Sequence, residues 1–250
     1  MIASLPMYDR PECQAANDAL WSGVAAALAR TGLEAPAALT REGELWDHWQ
    51  SPELVLSQTC GLPYRSRLRG VVRIIGSPDY GLEGCPPGYY NSAIVVRAGD
   101  EAIAPEDWRG KVLAFNEGRS QSGWAAALNH AAGLGTGYGG MVETGAHINS
   151  ARAVSEGRAD IAVIDAHTLR FIQRFDDWAQ GLKVIGRTEP TPATPFITKG
   201  TADDETVALL RAALEEAVAG QSDAIRAITG LRAVVTVPEA DYLAVPTPAA

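Results

Sequence analysis

Long apolar runs are missing from this sequence of 250 residues. A helix that crosses a bilayer needs about 20 consecutive apolar residues, and no stretch approaches that length. The opening "MIASLPMYD" has no basic start and meets Pro6 after five residues, unlike a signal peptide. We therefore predict no membrane span. The expected location is cytoplasmic for the sequence as it stands, or periplasmic if a leader has been removed.

Basic residues are also scarce, with 21 Lys and Arg against 30 Asp and Glu and a formal net charge of −9. They form no cluster, so the chain has no basic face for nucleic acid or an anionic membrane. A small anion is still a suitable ligand, because a few local N–H groups and hydroxyls act on it at short range. The composition is 46% hydrophobic, which is typical of a globular protein with one large domain or two small ones.

Cysteine is rare, and Cys13, Cys60 and Cys85 form neither a CxxC pair nor a zinc spacing. The four histidines have no metal spacing either, so we expect no metal and no cofactor. Cys60 and Cys85 both lie in loops rich in glycine and proline. Two interpretations are open for them: a disulfide, or two separate thiols, as a reducing compartment would favour.

The familiar catalytic motifs are absent. The sequence has no P-loop, no GxGxxG after a strand, no GxSxG turn and no HExxH. The segment "RSQSGW" resembles the serine turn only loosely and lacks its first glycine. Cys60 and His147 have the residue types of a nucleophile and a base, but nothing in the sequence joins them. We predict no catalytic residue.

What the sequence does contain is an alternation of strand and helix patterns, which predicts an α/β fold with mainly parallel sheets flanked by helices. The pattern restarts near residue 98, and "TEPTPATPF" is the clearest linker. We predict a first lobe of residues 1–97 plus 190–250 and a second lobe of 98–189. Two crossings of the chain between lobes predict a hinge. The predicted strands include Ile2–Met7, Ala37–Thr40, Leu54–Leu56, Val71–Ile75, Ala93–Val96, Val112–Phe115, Met141–Thr144, Ile161–Ile164 and Leu182–Ile185.

Polar side chains follow the predicted strands at their carboxyl ends, where open α/β sheets bind their ligands. They supply hydroxyl, amide and imidazole groups and almost no Lys or Arg, which suits a small polar anion. One carboxylate is available for a cationic part of the ligand. The predicted ligand-binding residues are Tyr8, Gln58, Thr59, Ser120, Gln121, Ser122, Gly123, His147 and Asp165.

Several of these residues also have a purely structural interpretation. Tyr8 can pack as an aromatic residue under a helix, while His147 and Asp165 can cap the helices that they begin. One serine is enough to cap a helix, whereas the helix after Phe115 opens on both Ser120 and Ser122. A helix start is a natural anion site, so the second hydroxyl favours binding.

The segments "SQSGW" and "TGAHINSARAVSEGRADIAVIDA" resemble the phosphate, phosphite and phosphonate family of ABC-transporter solute-binding proteins. That family has a Ser-Thr-Ser-Gly type of helix start, a Gly-x-His turn and a Gly-x-Ala-Asp strand that ends in Asp. "YNSAIVVRAGD" and "WRGKVLAFN" resemble its crossings between lobes. Gln121 stands where the family usually has Thr.

The resemblance implies a type II periplasmic-binding-protein fold with a ligand cleft between two lobes. It implies anion contacts by Tyr8, Ser120, Gln121, Ser122 and His147, and a contact from Asp165 to a ligand amine. The expected protein is a non-catalytic, monomeric solute-binding protein for phosphate, a phosphonate or a phosphorylated metabolite, with an ABC permease as partner.

Two other functions are kept open. The first is a cytoplasmic enzyme on the same fold, of the lyase or cofactor-precursor type, and the second is a cytoplasmic sensor or partner subunit. Because the unperturbed pKa of an imidazole is about 6.5, we also expect His147 to make anion binding depend on pH near neutrality.

Overall fold

The computed structural model describes residues 1–249. Two compact units divide the chain: the first contains Met1–Tyr89 and Pro192–Tyr242, and the second contains Tyr90–Thr191 and the residues from Leu243 onward. Each unit has its own five-stranded sheet.

The elements follow in chain order. The strands are β1 (Ile2–Ala3), β2 (Leu54–Gln58), β3 (Val72–Asp79), β4 (Tyr89–Tyr90), β5 (Ser92–Arg97), β6 (Val112–Phe115), β7 (Gly140–Glu143), β8 (Ile161–Asp165), β9 (Leu182–Arg187), β10 (Thr191–Pro192), β11 (Phe196–Lys199) and β12 (Ala233–Val235). The helices are α1 (Pro11–Thr31), α2 (Leu45–Gln50), α3 (Gly61–Pro63), α4 (Ala126–Gly133), α5 (His147–Ser155), α6 (Ala166–Phe175), α7 (Asp204–Ala219), α8 (Asp223–Thr229) and α9 (Glu239–Ala244).

The sheet of the first unit has the order β1-β2-β11-β3-β12. Helix α1 begins at Pro11, whose fixed backbone suits a first turn, and ends at Gly32, which has the left-handed φ of 81° that glycine readily adopts. Its buried face includes five apolar residues: Ala16, Leu20, Val24, Ala27 and Leu28.

The sheet of the second unit has the order β7-β6-β8-β5-β9. Strand β6 pairs in parallel with both β7 and β8. The carboxyl ends of these three strands therefore lie at one edge of the sheet. Small residues such as Ala114 and Ala162 form the core beneath α5, together with Ala151 and Val154. This packing holds the loops after β6, β7 and β8 at a common edge.

The sheets are mixed, and the units differ from the predicted lobes in more than one place. Residues 190–191 and those from Leu243 onward lie in the second unit, whereas 190–250 were predicted to belong to the first lobe. Strand β5 pairs antiparallel with β8 and β9, so it belongs to the second unit rather than to a first lobe ending at residue 97. In the first unit, β11 runs antiparallel to both β2 and β3. Strands β5 and β11 each follow a crossing of the chain from the other unit, and each lies between two strands that it pairs with antiparallel. The local sequence pattern does not reveal this direction.

Two predicted strands are wrong in part or in full. Only Ile2–Ala3 of the first is a strand, because the chain turns into a short 3₁₀ segment at Pro6–Tyr8. Residues 37–40 are irregular and make no strand; the N–H of Thr40 donates to the carbonyl of Ala3 in a single bond.

Cys60 and Cys85 are both present as thiols, so the structure does not contain a disulfide between them. Within residues 1–249, no helix is both long and apolar enough to cross a membrane.

Candidate functional site: the helix start after β6

A wide turn over Gln121–Ala125 precedes α4 in the second unit. Ser120 is the N-cap, and its hydroxyl accepts a hydrogen bond from the N–H of Gly123 at 3.0 Å. The N–H of Ala125 reaches back five residues to the Ser120 carbonyl, also at 3.0 Å. Turns of this width recur at functional sites. A helix start leaves several N–H groups without helical acceptors and carries partial positive charge.

Gly123 is needed for the close packing of this turn. A Cβ atom there would lie 2.1 Å from Oδ1 of Asn116 and 2.9 Å from Cε1 of His147. Both approaches are shorter than real Cβ contacts, so no other residue fits without movement. The glycine lets the helix start touch the loop after β6 and the imidazole from the loop after β7.

The second serine of the motif, Ser122, contacts His147 directly. Its hydroxyl lies 2.8 Å from Nε2 of the imidazole. Its carbonyl accepts a hydrogen bond of 2.9 Å from the Ser92 hydroxyl, at the start of β5. Ser122 is 6% exposed and Ser92 is 1% exposed. The two serines of the helix start therefore have different tasks, since Ser120 caps the helix and Ser122 meets the imidazole.

Hydrogen bonds between two neighbouring loops explain how His147 reaches the helix start. The N–H and the hydroxyl of Thr144 both donate to the carbonyl of Phe115, at 2.9 and 3.0 Å. The N–H of Gly145 donates to the Asn116 carbonyl at 2.8 Å. These bonds extend the β6–β7 pairing beyond the strands and carry the first residue of α5 next to Ser122.

His147 is neutral at physiological pH, contrary to the expectation that it changes charge there. Burial lowers the pKa of His147 to about 4. The residue is only half-buried, but its Nδ1 is enclosed and has no hydrogen-bond partner among residues 1–249. The Ser122 contact is therefore a bond to a neutral ring, and its direction depends on which ring nitrogen carries the proton.

The lowered pKa of His147 predicts an acid-sensitive fold. Between pH 6.5 and about 4 the unfolded chain binds a proton at this ring that the folded protein excludes, so stability falls as pH falls. Urea unfolding at pH 7.5 and 5.0 measures the loss. We expect His147→Gln to lose less stability than the wild type over this interval. An equal loss in both proteins would contradict the assignment.

Asp165 is the last residue of β8 and lies at the same edge of the sheet as the loops after β6 and β7. It is 3% exposed, and its Oδ1 accepts from the N–H groups of His167 and Thr168 at 2.7 and 2.9 Å. The structure thus confirms the capping interpretation of this carboxylate. Its contact with a ligand amine stays a prediction.

The three predicted residues of the first unit have local partners of their own. The Tyr8 ring packs edge-on against Tyr80, with centroids 5.2 Å apart. Nε2 of Gln58 lies within hydrogen-bond distance of the Tyr80 hydroxyl (3.0 Å) and of the carbonyl and hydroxyl of Thr194 (3.2 Å each), so Gln58 ties β2 to two loops. Thr59 is fully buried, and its hydroxyl has no hydrogen-bond partner among residues 1–249. Ligand contacts by Tyr8, Gln58 and Thr59 stay predictions.

Sequence reasoning missed Ser92, Tyr80 and Thr194. Ser92 supports the helix start from an antiparallel strand, whose amino end reaches the edge where the parallel strands finish. The rule that ligands meet the carboxyl ends of strands cannot find such a residue. For Tyr80 and Thr194 the sequence has no signal beyond a polar residue near a glycine or a proline.

The Ser122–His147 contact differs from a catalytic triad in one respect. In such triads a carboxylate or amide orients the base through its other ring nitrogen. Nδ1 of His147 has no partner of that kind in the described part of the chain.

Comparisons with known proteins identify the family of the chain. The family model described as "ABC transporter, phosphonate, periplasmic substrate-binding protein" matches residues 67–242. No curated protein sequence matches the chain.

Three solved structures are similar in fold at 13% sequence identity. XAC2383 from Xanthomonas citri, bound to chloride, has a TM-score of 0.72 over 96% of this chain and 92% of its own. PhnD1 from Prochlorococcus marinus, in complex with methylphosphonate, has a TM-score of 0.71 over 96% and 94%. A binding protein component of a phosphonate transporter from Pseudomonas aeruginosa, PA3383, has a TM-score of 0.70 over 97% and 82%.

Proposed function

Because the chain belongs to the family of periplasmic substrate-binding proteins of phosphonate ABC transporters, we propose that it binds the phosphonate or phosphate group of a small molecule at the start of α4. The observation that carries the proposal is the 2.8 Å contact between the Ser122 hydroxyl and Nε2 of His147. It lies beside a turn whose close packing requires glycine at position 123. A tetrahedral dianion offers three oxygens as acceptors. Helix N–H groups and a hydroxyl are donors of the matching kind.

The neutral imidazole gives Ser122 a defined role. When Nε2 carries the proton, it donates to the Ser122 oxygen, and the Ser122 hydroxyl is then free to donate to the anion. When Nδ1 carries the proton, the Ser122 hydroxyl donates to Nε2 and is lost to the ligand. An anion at the helix start selects the first tautomer, so His147 acts on the ligand through Ser122 without carrying a charge.

The donors of the helix start and the ligands of the structural neighbours support a phosphonate or phosphate group as the ligand class. XAC2383 has also been solved with ATP bound, and PhnD1 with methylphosphonate. A phosphonate and a phosphate ester present the same group to a helix start. We place the protein in the periplasm, as a monomer that delivers its ligand to an ABC permease.

Calorimetry tests the proposal with methylphosphonate as the probe. The protein is first unfolded in urea, dialysed and refolded, so that any ligand retained during purification is removed. We expect one methylphosphonate per chain and no heat of binding with arginine, which has no phosphonate group. If arginine binds while methylphosphonate, inorganic phosphate and ATP all fail to bind, the proposal is wrong.

A further inference from the structure

A cavity lies beside α4 in the second unit, along the helix face that runs from Ala126 to Gly133. Its volume is about 340 Å³, within the range of small-molecule sites in proteins. Ala126, Asn129 and Gly133, spaced three and four residues apart, form the helix wall. The lining also includes Thr188, Glu189, Thr191, Val245 and Pro246.

The charge of the cavity lining is negative. Glu189 contributes a carboxylate and His130 an imidazole. Burial lowers the pKa of His130, against the opposing effect of Glu189, so the ring is neutral at pH 7.5. No lining residue in the described part of the chain is Lys or Arg. A ligand with positive charge therefore has a partner here, and an anion has none.

The rest of the cavity lining is largely apolar. Ala126 and Leu134 belong to the helix and its end, while Val245 and Pro246 come from the C-terminal segment. The side chain of Asn129 donates to the Pro246 carbonyl at 2.9 Å and fixes that segment beside α4. The cavity thus combines one carboxylate with an apolar surface, as a compact organic amine requires.

We propose that this cavity is a second ligand site, specific for a compact organic cation whose ammonium group pairs with Glu189 and whose apolar body packs against Ala126, Leu134 and Pro246. Gln121 is the one lining residue that also belongs to the turn before α4. The two sites prefer ligands of opposite charge, because the helix start offers hydrogen-bond donors to an anion and the cavity offers a carboxylate to a cation.

Three probes of the same size and different charge test this proposal: benzylamine, benzyl alcohol and benzoate. Each is titrated at pH 7.5 into the ¹⁵N-labelled full chain while the amide signals are recorded. We expect benzylamine to shift the signals of residues 126–134 and 188–191 in a saturable way. We expect benzyl alcohol to bind at least fivefold more weakly and benzoate to leave these signals unchanged.

Matched variants distinguish this cavity from a general attraction to an acidic protein. Glu189→Gln is expected to weaken benzylamine binding at least fivefold, whereas Glu143→Gln, which removes an exposed carboxylate of β7, leaves it unchanged. Ala126→Leu fills the cavity and should abolish the shifts, whereas Ala132→Leu on the exposed side of α4 should not. Equal binding of benzylamine and benzoate, or equal benzylamine affinity in Glu189→Gln and the wild type, would overturn the proposal.

Discussion

Gly123→Ala is expected to reduce methylphosphonate affinity by at least 100-fold. The added Cβ would overlap the Asn116 carboxamide and press on the His147 ring, so the contact between Ser122 and His147 must open. Overpacking of this kind costs about 1–3 kcal/mol of stability, and the displaced His147 ring no longer orients the Ser122 hydroxyl, which is a proposed ligand donor.

Gly133→Ala is the matched control for this substitution. Gly133 is the last residue of α4, and a Cβ there would meet nothing within 4 Å. Alanine in a helix is favoured over glycine by about 0.5–1 kcal/mol, so the control should fold at least as well as the wild type. Calorimetry and thermal unfolding of both variants give the comparison. Wild-type affinity in Gly123→Ala would show that the close packing of this turn is irrelevant to binding.

Ser122→Ala is expected to weaken methylphosphonate binding by about 10- to 150-fold. A hydrogen bond to a charged group contributes about 1.5–3 kcal/mol, and 1.4 kcal/mol corresponds to a factor of ten. The variant also leaves Nε2 of His147 without its partner.

Ser120→Ala separates capping from binding. Its hydroxyl accepts from the N–H of Gly123, and loss of such a cap costs about 0.5–2 kcal/mol of stability. We expect Ser120→Ala to lower the free energy of unfolding more than Ser122→Ala, and Ser122→Ala to lower affinity more than Ser120→Ala. The account of the helix start fails if calorimetry finds unchanged affinity in both variants.

The position of the helix start and of its Ser120 cap could be predicted from the sequence because the governing rule is local. Polar residues after β6, β7 and β8 are visible in the sequence, and parallel neighbours bring their carboxyl ends to one edge. Ser122 and His147, which lie 25 residues apart, are in contact for that reason. The family resemblance and the type II fold that it implies are confirmed by the family match and the structural neighbours.

Features that depend on the whole fold were not predictable in the same way. Ser92 and the rest of β5 join the second sheet by antiparallel pairing, which a pattern of apolar residues does not specify. The neutral state of His147 follows from the protein around its Nδ1, and its charge could not be read from residue type alone. The stretch 37–40 has an apolar pattern but no partner strand, so it stays irregular.

The most direct test of the central claim is an NMR titration of the ligand-free protein with methylphosphonate. The backbone N–H groups of Gln121, Ser122 and Gly123 report on the helix start, and those of α7 in the first unit serve as a reference. The account predicts that the three helix-start signals move most and saturate at one equivalent, and that Ser122→Ala needs at least tenfold more ligand to reach the same shifts. Saturable binding that leaves these three signals unmoved would contradict it.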